Sequence, residues 1–224
     1  MKIGAIIEAR QNSTRLPSKI LKNLNGKTVI ERIIERLKKI KTLDEIVVAT
    51  TESNWDNELC FLLEKIKVKY FRGSEANVLS RVYNAAKNFK IDTILEVWGD
   101  CPLFDPDINE KLINIYKKNN YDFVGCNIKR TFPLGVDGMV FSTKVLEKIK
   151  KKNLNQNDLE HVSVYIYSHP ELFKLYNYEA ENPKLKRTDI RLTLDYYEDY
   201  KLIEKIYSFF KDDSIYKLEN IIKF

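Results

Sequence analysis

Apolar positions along the 224-residue chain follow two rhythms that take turns. Stretches rich in branched apolar residues, KIGAIIEA (2–9), EIVVAT (45–50), VKYF (68–71), DTILEVW (92–98) and YDFVGC (121–126), read as strands. Between them a 3.6-residue spacing takes over. Val29, Ile30, Ile33, Ile34, Leu37 and Ile40 make one helical stripe, and comparable stripes run through 55–66, 77–89 and 107–118. The order β-α-β-α-β-α-β-α-β predicts a parallel sheet covered on both faces, because right-handed crossovers place their helices there. After residue 126 the rhythm changes. Residues 127–140 read as loop around KRTFPLGVDG, helices are expected over 142–152 and 158–168, LFKLYNYEA (172–180) and IRLTLD (190–195) read as strands, and helices close the chain.

In open α/β sheets ligands bind beyond the carboxyl ends of the strands, so loops 9–19, 50–54, 72–77, 99–106 and 195–199 are expected to be neighbours. The first carries Arg10, Arg15 and Lys19 among hydroxyl and amide side chains. Backbone amides in such a turn, with Arg and Lys beside them, suit several phosphate charges, and a triphosphate is the guest they predict. The loop matches neither GxxxxGK[ST] nor GxGxxG. Asp100, in EVWGDCPLFDP, and Asp195, in IRLTLDYYED, each end an apolar run at the predicted rim. One or two carboxylates there suffice for Mg²⁺, which takes its other oxygens from substrate phosphates; an N-cap role is the rival reading for Asp195. Asp105 and Asp107 read as turn or cap residues of the next helix. Arg72 and Ser74 follow a strand and lead into the helix expected at 77–89, where Arg81, one turn in, is either solvent-facing or near enough to reach a nucleoside or phosphate. Gly135 and Asp137, in FPLGVDGMVFS, suit hydroxyl recognition or a β-turn, and His161 suits a substrate contact or a structural role.

Composition changes this picture little. With 44% hydrophobic and 31% charged residues and only 7 Gly and 6 Pro, residues 1–224 read as one domain with no linker, 1–126 forming a nucleotide-binding half and 127–224 an acceptor-binding elaboration. The net charge of +6 is spread over helix faces among acidic residues, which argues for a solvated surface and against nucleic acid. Cys60, Cys101 and Cys126 have no CxxC spacing, so neither a disulfide framework nor zinc is implied. No apolar stretch approaches the ~20 residues that span a bilayer, and a cytoplasmic protein without membrane contact is expected. The aromatic-rich span 165–178 reads as core cover or as a homodimer surface.

Taken in order, GAIIEARQNSTRLPSKILKNLNGKTVIERIIERL, EIVVATT, FRGSEANVLSRVYNAAK, GDCPLFDP, FPLGVDGMVFS, EHVSVYIY and RLTLDYYED resemble the spore-coat polysaccharide biosynthesis protein F group of the cytidylyltransferase superfamily, which also holds the CMP-sialic acid and CMP-Kdo synthetases. The likeness runs over residues 2–207. It implies a nucleotide-diphosphosugar transferase fold, a Rossmann-like three-layer α/β/α sandwich. It further implies CTP and a sugar, either a ketosonic acid or a sugar phosphate, as substrates, and a CMP- or CDP-sugar with pyrophosphate as products. Carried over, Arg10, Lys19 and Asp100 would be catalytic. Ala9, Arg10, Ser13, Thr14, Arg15, Lys19, Arg72, Ser74 and Arg81 would hold the nucleotide, Arg130, Gly135, Asp137 and His161 the sugar, and Asp100 with Asp195 the Mg²⁺. The chain departs from the family pattern at Asn12 and Ser18, where glycines are usual, and at Tyr196–Tyr197, where Thr-Pro is usual. A glycosyltransferase of the same fold and a nucleotide-binding protein without turnover are the alternatives. The first of these is disfavoured because the DPD at 105–107 opens a helix rather than ending a strand.

Overall fold

The computed structural model describes residues 1–210 and 213–224. Its centre is a seven-stranded sheet in the order β5-β4-β1-β6-β8-β7-β9, built from β1 (Ile3–Glu8), β4 (Glu45–Thr51), β5 (Lys69–Gly73), β6 (Thr93–Trp98), β7 (Phe123–Gly125), β8 (Met139–Ser142) and β9 (Leu175–Asn177). A small hairpin of β2 (Asn23–Leu24) and β3 (Lys27–Thr28) stands apart. The helices are α1 (Val29–Leu37), α2 (Asn57–Lys65), α3 (Val78–Asn88), α4 (Pro106–Lys118), α5 (Thr143–Ile149), α6 (Gln156–Glu160), α7 (Val164–Ser168), α8 (Tyr197–Phe209) and α9 (Leu218–Lys223). Strands β5, β4, β1 and β6 run parallel, β8 runs antiparallel to both β6 and β7, and β9 lies parallel to β7. This is the mostly parallel, helix-covered α/β sandwich that the sequence predicts.

The apolar run IGAIIE explains the central position of β1. Alternate side chains enter opposite layers: Ala5 and Ile7 join the core that includes Ile30, Ile33, Leu112 and Ile203, while Ile6 joins Val82, Ala85, Leu146 and Ile166 on the other face. Only a strand buried on both faces tolerates apolar residues at every position. Local chemistry then sets the helix starts. Thr28 and Glu31 form a reciprocal capping box on α1, and the Asp105 carboxylate accepts from the Ile108 amide (2.8 Å) with Pro106 at the first turn of α4.

The second half departs from the expected elements in three ways. Residues 139–142, assigned from sequence to loop and helix start, form β8, because the run Met139–Phe141 is buried between β6 and β7. The helix expected over 158–168 is interrupted at residues 161–163 and becomes α6 and α7. IRLTLD is extended but lies outside the sheet. The Leu192 amide donates to Leu134 O (2.8 Å) and the Leu194 amide to Asp100 O (2.7 Å), so its ladder partners are loops at the strand ends. Within 165–178, Tyr165, Ile166 and Phe173 pack into the core.

Candidate active site

The loop leaving β1 is shaped by groups buried beneath it. The Asp56 carboxylate accepts from the Gln11 amide (2.7 Å) and from both the amide and the hydroxyl of Thr51, tying the ends of β1 and β4 together. Gln11 is itself buried and accepts from the Leu59 amide (3.2 Å). The loop closes when the Ser18 amide donates to Gln11 O (3.0 Å), with Ser18 at a left-handed φ of 52° that glycine would adopt more readily. Lys19 follows at the start of a short helical turn and points inward.

The Lys19 ammonium lies between two carboxylates from different parts of the chain. It donates to Asp100 Oδ2 (3.2 Å), Asp195 Oδ1 (3.1 Å) and Leu194 O (2.9 Å). Arg15 reaches the same Asp195 oxygen at 2.6 Å and stacks over the Tyr196 ring at 5.4 Å. Asp195 is free for these partners because it does not cap α8. That task falls to Asp199, whose Oδ2 accepts from the amides of Asp195 (2.9 Å) and Tyr196 (2.8 Å) while Arg191 clamps both its oxygens. Burial pushes the Asp199 carboxyl up, but these hydrogen bonds outweigh it and hold it below its ordinary range. The helix start without Thr-Pro is therefore intact.

A cleft of about 260 Å³ opens beside this cluster. Ala9, Arg10, Ser13, Thr14, Arg15, Lys19, Arg81, Asp100 and His161 line it, joined by Glu8, Trp98 and Glu160. Arg10 sits at the mouth, 3.6 Å from Glu75, with two-fifths of its side chain exposed. Arg81 is buried; one guanidinium nitrogen donates to Ser74 O (2.6 Å) and Nε has no partner. Burial pulls its guanidinium down, opposed by the Glu8 charge. Below lies an acid pair, in which burial first and the facing carboxyl second raise Glu8 well above its ordinary range, and burial lifts Glu96 to about 7.

Other expected site residues lie outside the cleft lining. The Arg72 guanidinium holds the 51–57 turn through Thr51 O (2.9 Å), Ser53 O (2.7 Å) and Asn57 Oδ1 (2.8 Å), and the Ser74 hydroxyl accepts from the Asn77 amide (3.1 Å). Gly135, at φ 98°, packs so closely that a Cβ there would lie 2.9 Å from Thr193 Cγ2. Asp137 is buried, with one oxygen on Arg130 (2.9 Å) and the other unpartnered; burial raises its carboxyl in spite of that arginine. Sequence reasoning missed Asp56, Gln11 and Asp199, which build the site without lining it. Of these only Asp199 left a signal, an acid three residues after the helix-start position of Tyr196.

The cytidylyltransferase family model matches residues 4–221, nearly the whole chain. The chain belongs to the cytidylyltransferase family. It is accordingly a nucleotidyltransferase. It is 42% identical over 202 residues to the uncharacterized protein MJ1063 of Methanocaldococcus jannaschii, covering 90% of this chain and 82% of that one. It is 31% identical over 207 residues to the spore coat polysaccharide biosynthesis protein SpsF of Bacillus subtilis, covering 90% and 85%. Among solved structures, a cytidylyltransferase from Leptospira borgpetersenii superposes with a TM-score of 0.92 at 34% identity, covering all of this chain and 93% of that one. Among the described residues no helix is long and apolar enough to cross a membrane.

The resemblance implies a divalent ion held by Asp100 and Asp195. Among the described residues no three His, Cys, Asp or Glu side chains gather as a metal site. Two carboxylates and a carbonyl nevertheless converge on one cation, the Lys19 ammonium, at 2.9–3.2 Å. That all-oxygen donor set suits Mg²⁺, which keeps waters and substrate phosphates for the rest of its shell.

Proposed function

We propose that the cleft transfers a cytidylyl group from CTP to a sugar, either a ketosonic acid or a sugar phosphate, giving a CMP- or CDP-sugar that feeds the synthesis of surface polysaccharide or glycoconjugate. The observation that carries this reading is the meeting of Arg10, Arg15, Lys19, Asp100 and Asp195 around one cleft, from loops far apart in sequence. Cations outnumber carboxylates in that group, as a polyanionic guest requires.

An acceptor oxygen attacks the α-phosphorus as the bond to the β-phosphate oxygen breaks, so pyrophosphate leaves with the bonding pair. Where the acceptor is a hydroxyl, its proton passes to solvent. Negative charge builds on the leaving oxygens, and Arg10, Arg15 and Lys19 neutralise it from positions fixed before reaction. Asp100 and Asp195 would hold Mg²⁺, which supplies electrophilic polarisation of the phosphoryl oxygens. Arg81, held by Ser74 O and countered by Glu8, faces the nucleoside side of the cleft. His161 and Glu160 line the cleft from the second half of the chain and are the side chains nearest to hand for sugar hydroxyls.

Release of pyrophosphate, screened with the four nucleoside triphosphates against ketosonic acids and sugar 1-phosphates, tests the reading. Pyrophosphate that appears only with CTP and one acceptor class is the expected result. Release of a nucleoside diphosphate from a nucleotide sugar, without pyrophosphate, would overturn it.

A further inference from the structure

The cation between Asp100 and Asp195 belongs to the chain itself. Lys19 Nζ takes three oxygens, two carboxylate and one carbonyl, at 2.9–3.2 Å. A divalent ion would need those same carboxylates. We propose that the Lys19 ammonium is an exchangeable occupant of the divalent-ion position, so that nucleotide and metal must enter together: the triphosphate draws Lys19 out of the carboxylate cage as the ion goes in. The proposal rests on the nucleotidyl-transfer reading of the cleft.

Charge and burial both argue for exchange. With Lys19, Arg15 and, at 3.7 Å, Arg191 in place, the two carboxylates already face three cations, so an approaching divalent ion meets no net negative charge and several like charges close by. The Lys19 side chain is only 13% exposed, and an ammonium so far out of water needs an anionic partner at all times. Without nucleotide the described structure pairs it with Asp100 and Asp195, and Asp195 also holds Arg15. A triphosphate in the cleft supplies a second set of anionic oxygens along a wall that Lys19 already lines with Arg10 and Ser13. The flexible four-carbon stem of lysine allows the ammonium to change partners while the backbone stays fixed. A rigid strut would be a poor use of that stem, since Arg15 and Arg191 already approach Asp195 at 2.6 and 3.7 Å.

The test is Mn²⁺ binding to the full chain, read by loss of the free-ion electron paramagnetic resonance signal, with and without CTP and with no acceptor present. Wild type should bind Mn²⁺ weakly alone and roughly 5- to 150-fold more tightly with CTP, the usual span for coupled sites. Lys19→Met should tighten nucleotide-free Mn²⁺ binding about tenfold or more and shrink the CTP effect, because the competitor is gone. Lys19→Gln, which keeps a polar tip, serves if the methionine variant does not fold. Unchanged or weaker nucleotide-free binding in both variants would overturn the proposal and make Lys19 a strut. Asp100→Asn should abolish the protein's Mn²⁺ binding in every background, and binding that persists there, read as continued loss of the free-ion signal, would overturn the shared site. Should CTP fail to bind wild type, the nucleotide reading falls, while the nucleotide-free comparison still decides the role of Lys19.

Discussion

The two sides of the cleft are built on opposite principles. On the side of the first half, cationic side chains stand at the carboxyl ends of parallel strands and remain partly open: Arg10 and Arg15 are 41% and 50% exposed at the side chain, and their partners are carboxylates. On the side of the second half, Arg130 and Asp137 pair with each other behind the antiparallel strand β8, and Gly135 is fixed against Leu192 and Thr193. A charge at a strand end is available, whereas a charge folded behind an antiparallel neighbour is committed. The motif FPLGVDGMVFS thus acts in packing, and the second half's contribution to the cleft wall comes from Glu160 and His161.

Mutations should separate the two principles. The largest effect is expected at Asp100: its replacement by alanine should cut pyrophosphate release by ~10²-fold or more while leaving the melting temperature nearly unchanged, and equal turnover would remove Asp100 from the reaction. Arg130→Ala should act the other way. It strands a buried carboxyl, so thermal unfolding should show a loss of about 2–3 kcal/mol, whereas a kcat/KM loss at full stability would return Arg130 to the sugar. Arg72→Ala should keep the KM for CTP within about threefold and cost about 1–2 kcal/mol of stability, since its hydrogen bonds hold the 51–57 turn. A large rise in KM would move Arg72 into the nucleotide site.

The most diagnostic effect concerns pH. Glu96 titrates near 7 when folded, above its ordinary value of 4.5. At this group the folded state therefore holds more protons between those values, and the contribution of Glu96 to stability is greatest below about 4.5 and declines as pH rises toward 7. Melting temperatures of Glu96→Gln across that range should show a flatter decline than wild type, the difference amounting to about 1–3 kcal/mol. An identical slope would place the shift on Glu8 or elsewhere.

How much of this was legible in the residues differs by element. The parallel half of the sheet could be read because strands buried on both faces must be largely apolar, as IGAIIE and TILEVW are apart from Glu8, Thr93 and Glu96. Strand β8 was not legible, because four residues beside a Gly-rich turn carry no periodicity to tell strand from loop. IRLTLD shows the opposite error: its alternation is genuine, with Leu192 and Leu194 in the core, but its hydrogen bonds go to Leu134 and Asp100 rather than to a strand.

The sequence by itself determined which chemistry is present: basic residues in the turn after the first strand, aspartates closing two apolar runs, and a pattern that forces those ends to one rim. Tertiary structure alone decided which of those charges are free. Arg72 and Arg81 are both arginines near one helix start, yet one braces a turn outside the cleft and the other lines it. The difference follows from the carbonyls each one meets: Arg72 those of Thr51 and Ser53 in a distant loop, Arg81 that of Ser74 just ahead of its own helix. A side chain's residue type fixes what bonds it can make, and only the fold supplies the partners that take them.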